Sequence, residues 1–310
     1  VAQEKPGHRA IRRFSNFSRL TMKICRFNEN CLGLVEGNVV RDVTQALKVL
    51  RPADYPFPRY DVLIANLDLI RSAVTELAPR ARTVPLSDVA LLSPVANPGK
   101  IVAAPVNYQK HLKEVLCDPN LHHDNQINHI QRAGLFLKAT SSLVGPSEGV
   151  ALRKLDRRND HEVELAVIIG KKAANVSKVD ALKFVAGYCI GLDITIRGPE
   201  ERSFRKSPDS YTVLGPWLVT SDELPDPSNL SFSISVNGEI RQRSNTSELI
   251  LGVSELIEFA SSYYTLLPGD VIITGTPEGV ASIRPGDSMF AEFEGIGSME
   301  VDVRCSVQEG

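Results

Sequence analysis

His161-Glu162-Val163-Glu164-Leu165-Ala166-Val167-Ile168-Ile169-Gly170 sets two carboxylates two residues apart at the head of an apolar, β-branched run. Such residues favour extended backbone, so the run reads as a strand. Alternate side chains of a strand share a face, which puts Glu162 and Glu164 on one side and Val163 and Leu165 on the other. Two like charges held that close repel unless something positive lies between them. A hard divalent cation, Mg²⁺ or Mn²⁺, accepts carboxylate oxygens and keeps positions open for water and substrate. A strand with one solvated face also carries such pairs, so the motif alone leaves both readings open.

A third acid bears on that choice. Asp193 is the only charge in Ala186-Gly187-Tyr188-Cys189-Ile190-Gly191-Leu192-Asp193-Ile194-Thr195, an apolar run that also reads as a strand. A lone carboxylate there is costly to desolvate without a cation. Two acids from one strand and one from another make an open metal site of the kind that does chemistry.

The whole chain sets the limits around this site. Its 310 residues, 43% hydrophobic and 23% charged, are enough for a sizeable core in an ordinary globular protein. Lys+Arg 35 against Asp+Glu 37 leaves a formal charge of −2, without a basic stripe beyond the first twenty positions, which argues against nucleic acid as a partner. Cys25, Cys31, Cys117, Cys189 and Cys305 are scattered and odd in number, and read as the reduced thiols of a cytoplasmic protein. No apolar run reaches bilayer-spanning length, so no membrane partner is expected. Residues 1–21 are basic, but Arg12-Arg13 is followed by no apolar segment of the secretory or twin-arginine kind, and the stretch reads as a loosely ordered extension before a natural start at Met22.

From Met22 to about Ala96 short strands and one or two helices end in a Pro-rich passage, the pattern of a small packing domain with few reactive residues. Beyond Lys100 come apolar strand runs at Ile101–Ala104, Leu135–Leu137, Val163–Ile169, Leu214–Val219, Leu230–Val236 and Val271–Thr274. The helical patterns fall at Val179–Ala186 and Ser254–Tyr264. Many strands and few helices, without regular alternation, predict an α+β, β-rich roll or barrel and not a doubly wound sheet.

Several other segments carry chemistry. Asn107-Tyr108-Gln109-Lys110-His111-Leu112-Lys113-Glu114 opens a helix, on which His111 and Glu114 share a face. A carboxylate beside an imidazole fixes its tautomer, which suits a general base for water, although a surface pair has the same spacing. Lys206 and Asp209 occupy a polar loop entering a strand, where an ammonium suits a substrate carboxylate or an enolate oxygen, or is simply solvated. The turn Thr274-Gly275-Thr276-Pro277-Glu278-Gly279 offers backbone amides and a hydroxyl for an anion, and equally reads as an ordinary strand end. His122, His123 and His129 in the polar loop Leu116–Gly134 match no common metal spacing, and read as a solvated loop or lid.

Six separated segments, in this order, resemble the fumarylacetoacetate hydrolase family from about Lys100 to Val303. They are Asn107-Tyr108-x-x-His111-x-x-Glu114, Phe136-x-Lys138-x-x-Ser141-Ser142-Leu143-Val144-Gly145-Pro146, Glu162-x-Glu164-Leu165-Ala166, Gly187-Tyr188 through Asp193, Lys206-Ser207-x-Asp209 with Leu214-Gly215-Pro216-Trp217, and Thr274-Gly275-Thr276-Pro277-x-Gly279-Val280. The resemblance implies a mixed β-roll or sandwich catalytic domain over residues 98–310, preceded by a small N-terminal α/β domain over 22–97 and assembled as a homodimer. It implies Glu162, Glu164 and Asp193 as Mg²⁺ or Mn²⁺ ligands, His111 with Glu114 as the water-activating dyad, and Lys206 as the cation that assists the enolate. Lys138, Ser141, Asp209, Gln242, Gly275 and Thr276 are the implied substrate positions. The chain departs from the family at Leu192, where an Asn is usual, and in the length of the Leu116–Gly134 loop.

The activity this implies is metal-dependent hydrolysis of a C–C bond in a β-diketo or 2-oxo acid, of the acylpyruvate or fumarylpyruvate type, through a stabilised enolate. Related enolate chemistry on the same fold isomerises 2-hydroxymuconate-type dienes or decarboxylates oxaloacetate-type acids, and fold resemblance does not choose among the three. A metal- or ligand-binding protein without turnover is the rival from outside enzymes.

Overall fold

Val163–Ile169 is buried along its whole length and pairs antiparallel with Val185–Asp193, with Val163 opposite Leu192 and Glu164 opposite Gly191. The computed structural model describes residues 22–122 and 129–306, and this pair lies near the middle of the 12-stranded sheet found among them. On one side the sheet continues through Thr212–Thr220 to Lys23–Phe27, Cys31–Glu36, Val39–Asp42 and Thr83–Pro85. On the other it runs through Val271–Ile273 and Ile101–Ala103 to Phe136–Lys138. Val271–Ile273 and Ile101–Ala103 are parallel and most other neighbours antiparallel, so the sheet is mixed. A 5-stranded sheet from Val150–Leu152 and the Ser231–Cys305 region, and a 3-stranded one containing Asn159–His161 and Thr195–Ile196, complete the β-rich architecture. The α+β, β-rich class read from the strand runs holds.

The apolar runs form strands because their side chains fill the cores on both faces of the large sheet: Val163, Leu165 and Val167 on one side, Ala166 and Ile168 on the other. The predicted helix at Ser254–Tyr264 is present as Val253–Tyr263, which buries Val253, Leu256, Ile257 and Ala260 at helical spacing. The predicted helix at Val179–Ala186 is not. Only a short 3₁₀ turn, Ala181–Phe184, precedes the strand that begins at Val185. Val179 is 91% exposed, so the apolar positions never form one face, and backbone pairing on both edges of the Val185–Asp193 strand overrides the helical periodicity.

The N-terminal segment has its own apolar cluster, in which Ile24, Leu32 and Leu34 pack against Ile70 and Val74 of the helix Leu67–Leu77. Its strand Lys23–Phe27 pairs with Thr212–Thr220, Lys23 opposite Val219, so it extends the same sheet. The extension read at residues 1–21 and the centre of the histidine loop, His123 included, lie outside the described residues. Among the described residues no helix is long and apolar enough to cross a membrane.

Candidate active site

The antiparallel register brings the three acids together. Glu162 stands immediately before its strand, its carbonyl accepts the Asp193 N–H at 2.9 Å, and one carboxylate oxygen from each of Glu162, Glu164 and Asp193 lies within 4.8 Å of the others. All three are buried. The Lys206 ammonium bridges two of them, donating at 2.7 Å to Glu162 Oε2 and at 2.7 Å to Asp193 Oδ2. Arg197 donates to Glu162 Oε1 at 2.9 Å and to Asp160 Oδ2 at 2.7 Å, and the Thr195 hydroxyl donates to Glu162 at 3.0 Å. Lys138, fully buried, donates to Asp193 Oδ1 and to the Tyr211 carbonyl.

These partners divide the acids. Burial alone pushes Glu162 up, but the Lys206 ammonium and the Arg197 guanidinium outweigh it and hold the carboxylate well below its usual range. For Glu164 burial wins: it pushes the group well above the usual range, the Asp193 charge adds to this, and Lys206 opposes without reversing it. Among the described residues Glu164 has one hydrogen bond, from the Gly275 N–H at 2.5 Å. A buried acid driven toward its neutral form beside two others is the situation that a hard divalent cation relieves, and an all-carboxylate donor set suits Mg²⁺ or Mn²⁺. The residues present therefore fit such an ion.

His111 and Glu114 sit one turn apart on the helix Gln109–Cys117, with His111 Nδ1 and Glu114 Oε2 at 2.7 Å. A carboxylate on Nδ1 makes that nitrogen the donor and leaves the Nε2 lone pair free as a base. Glu114 is held from its other side by the Gly279 N–H, which donates to Oε1 at 2.9 Å. The turn amides that the sequence offers to a ligand anion thus serve the protein's own acids: Gly275 holds Glu164 and Gly279 holds Glu114. Both glycines have positive φ, 97° and 92°, and a Cβ there would stand 2.7 Å from Asn107 Cβ and 2.2 Å from the Arg241 carbonyl oxygen.

The remaining expected substrate positions differ in where they lie. Thr276 lines the cavity described below, while its hydroxyl donates to the Val163 carbonyl at 2.9 Å. Gln242 is buried and committed, accepting from the Val163 N–H and donating to Thr276 Oγ1 and the Pro277 carbonyl. It also meets His161 Nδ1 at 3.1 Å, and burial pushes that imidazole down to about 4, against the pull of this hydrogen bond. Lys138 reaches an acid of the cluster and does not line the cavity. Ser141 and Asp209 are not brought in at all: Ser141 is exposed beside the buried Ser142, and Asp209 pairs with Arg153 at 2.8 Å on the surface.

A cavity of about 210 Å³ opens over Glu162 and Glu164, and His111, Lys206, Thr276, Phe136, Arg197, Glu200, Glu201, Arg202 and Arg205 also line it. It is smaller than typical drug-sized pockets and suits a small acid. Three of its cations escape the motif reading. Arg197 had a signal, since Asp193, Thr195 and Arg197 alternate and fall on one side of an extended chain. Arg202 and Arg205 lie on the helix that carries Lys206, Arg202–Lys206, and Arg202 is its i−4 neighbour.

The sequence model of the fumarylacetoacetate (FAA) hydrolase C-terminal family matches residues 100–304. The chain belongs to the fumarylacetoacetate hydrolase family. Among its relatives in this family is a maleylpyruvate hydrolase of Aquipseudomonas alcaligenes, 62% identical over 285 residues, which cover 91% of this chain and 99% of that protein. A maleylpyruvate hydrolase from Sphingobium sp. SYK-6, solved with manganese (II) ion and pyruvate, superposes with a TM-score of 0.78 at 38% identity over 92% of this chain and 100% of that one. A 5-carboxymethyl-2-hydroxymuconate delta-isomerase from Mycobacterium smegmatis superposes with a TM-score of 0.67 at 30% identity, again over 92% and 100%. The fumarylacetoacetate hydrolase fold implied by the six sequence segments is therefore the fold of this chain.

Proposed function

We propose that this protein is a divalent-metal-dependent hydrolase that cleaves a C–C bond of an acylpyruvate, maleylpyruvate first among the substrates to test. The observation that carries this reading is one small cavity lined by Glu162 and Glu164, which cluster with the buried Asp193, and by His111, which Glu114 holds through Nδ1. The relative's activity and its coverage of nearly the whole chain support the same choice.

When bound, Mg²⁺ or Mn²⁺ held by Glu162, Glu164 and Asp193 supplies Lewis acidity toward the oxygens of a 2-oxo acid. His111 Nε2 takes a proton from water, with Glu114 holding the ring through Nδ1 and Gly279 holding Glu114. The hydroxide equivalent adds to the distal carbonyl, the adjacent C–C bond breaks, and its electron pair forms the enolate of the pyruvate half. Lys206 offers an ammonium to the negative charge on that oxygen. The enolate carbon then takes up a proton, so the net reaction adds one water and yields pyruvate and a carboxylic acid. Thr276 forms part of the wall against which the substrate rests. Lys138 and Gln242 act at one remove in this reading, by fixing Asp193 and the contact between Val163 and Thr276.

The test is product mass after incubation with Mn²⁺ or Mg²⁺ and maleylpyruvate, fumarylpyruvate and acetylpyruvate, with and without EDTA. Two fragments whose masses sum to substrate plus water, formed only with metal, support the reading. An unchanged mass with a shifted ultraviolet spectrum moves the protein to the isomerases, to which the Mycobacterium neighbour gives specific support, and loss of CO₂ moves it to the decarboxylases. A homodimer in the cytoplasm remains the assembly and place that fit this reading, from the family resemblance and the free thiols, and light scattering checks the first.

A further inference from the structure

The cations around the cavity are not equivalent. Lys206 and Arg197 are each bonded to two groups of the acid network, and Arg205 donates to the carbonyls of Glu200 and Ile196 at 2.7 and 2.9 Å. The nearby acids are also committed: Glu200 receives two hydrogen bonds from Arg157, and Glu201 caps its helix by accepting the Ser203 N–H at 2.7 Å. Arg202 lines the same cavity and makes no ion pair with a carboxylate among the described residues, although Glu162 and Glu201 act on its charge from farther off. Its guanidinium lies over the Phe136 ring, 5.6 Å from the centroid, and the Lys206 ammonium lies 5.8 Å from the same centroid. A ring face offsets only part of the cost of drawing a guanidinium away from water, and a planar fork of donors fits a carboxylate in a bidentate manner.

The spacing matches a substrate with two charged ends. Arg202 and Lys206 are one helical turn apart, about 6 Å along the axis. A 2-oxo acid group at the acid cluster beside Lys206 therefore leaves the other five carbons of a seven-carbon diacid to run toward Arg202. We propose that Arg202 receives the distal carboxylate of a dicarboxylic acylpyruvate and so sets the preference for diacids over monoacids. This rests on the acylpyruvate reading of the same cavity, and deepens it by assigning a specificity-determining residue.

The test uses a matched pair that lacks the second carbonyl and cannot be cleaved, 2-oxoheptanedioate and 2-oxoheptanoate, titrated calorimetrically into the Mn²⁺-loaded protein. The wild type should bind the diacid roughly 10- to 100-fold more tightly, as expected for a charge-assisted bidentate contact. Arg202→Gln should abolish that preference and leave monoacid affinity unchanged, while Arg202→Lys keeps a part of it. Equal weakening of both ligands in Arg202→Gln would show that the guanidinium only packs the wall, and overturn the proposal. A preference that survives the substitution, or a wild type that binds both ligands alike or neither, overturns it too. If none of the three acylpyruvates is cleaved but the diacid preference depends on Arg202, the hydrolase reading falls and this one stands.

Discussion

The two ends of the cavity are built on opposite principles. At the acid end nearly every charge is answered from within the chain: Lys206 and Arg197 meet Glu162, Lys138 and Lys206 meet Asp193, and backbone amides meet Glu164 and Glu114. Over the Phe136 ring Arg202 has an aromatic face and no ion pair among the described residues. Buried charges are costly to leave unmatched, so the paired groups hold their geometry without a ligand, while a charge left without an ion pair is matched by what binds. Glu164 shares something of both ends, since its single amide donor does not offset its burial.

The most severe way to break this contrast is at Glu164. Glu164→Ala, or EDTA on the wild type, should lower turnover by at least about a thousandfold, with Mn²⁺ restoring only the EDTA-treated wild type, as expected when a metal supplies several kcal/mol of charge stabilisation. Activity that survives both treatments would mean that the acids are structural. Next comes the base. His111→Ala should cost about 10²- to 10⁴-fold in kcat with a smaller change in KM, measured as pyruvate release, because a positioned general base contributes that much. An intact rate of pyruvate release would remove the dyad from the chemistry.

Lys138→Met probes the scaffold side alone. It leaves Asp193 with one cation fewer in a buried setting and should lower stability by about 3 kcal/mol, read from the urea midpoint of the apo protein. A midpoint unmoved by this change would show that Lys206 suffices for Asp193. The smallest effects belong to the residues outside the cavity: Ser141→Ala and Asp209→Asn should each change kcat/KM less than about twofold and stability by under about 0.5 kcal/mol. A large loss at Asp209 would extend the working surface beyond the cavity.

Local pattern carried much of this molecule. The Val163–Ile169 strand was legible from its β-branched run, the Val253–Tyr263 helix from its apolar spacing, and the proximity of His111 to Glu114 from one helical turn. Those features depend on residues a few positions apart. The Val179–Ala186 expectation failed because a short apolar stretch fits helix and strand alike, and what decides is whether neighbouring strands are there to pair with it. Lys138, Ser141 and Asp209 show the same limit at the level of side chains: their motif spacing is in the sequence, but whether each turns to the acids, to solvent or to a surface arginine is not.

By itself the sequence determined which acids, base and cations the chain has, and that two of the acids share a strand face, because backbone periodicity fixes the direction of neighbouring side chains. Only the tertiary structure decided who neutralises whom. The Gly275 amide reaches Glu164 across 111 residues and the Gly279 amide reaches Glu114 across 165, so turn donors that looked available to a ligand are used inside the protein. Contacts of that separation depend on how the strands are ordered in the sheet, and the same ordering left the Arg202 guanidinium open to the cavity.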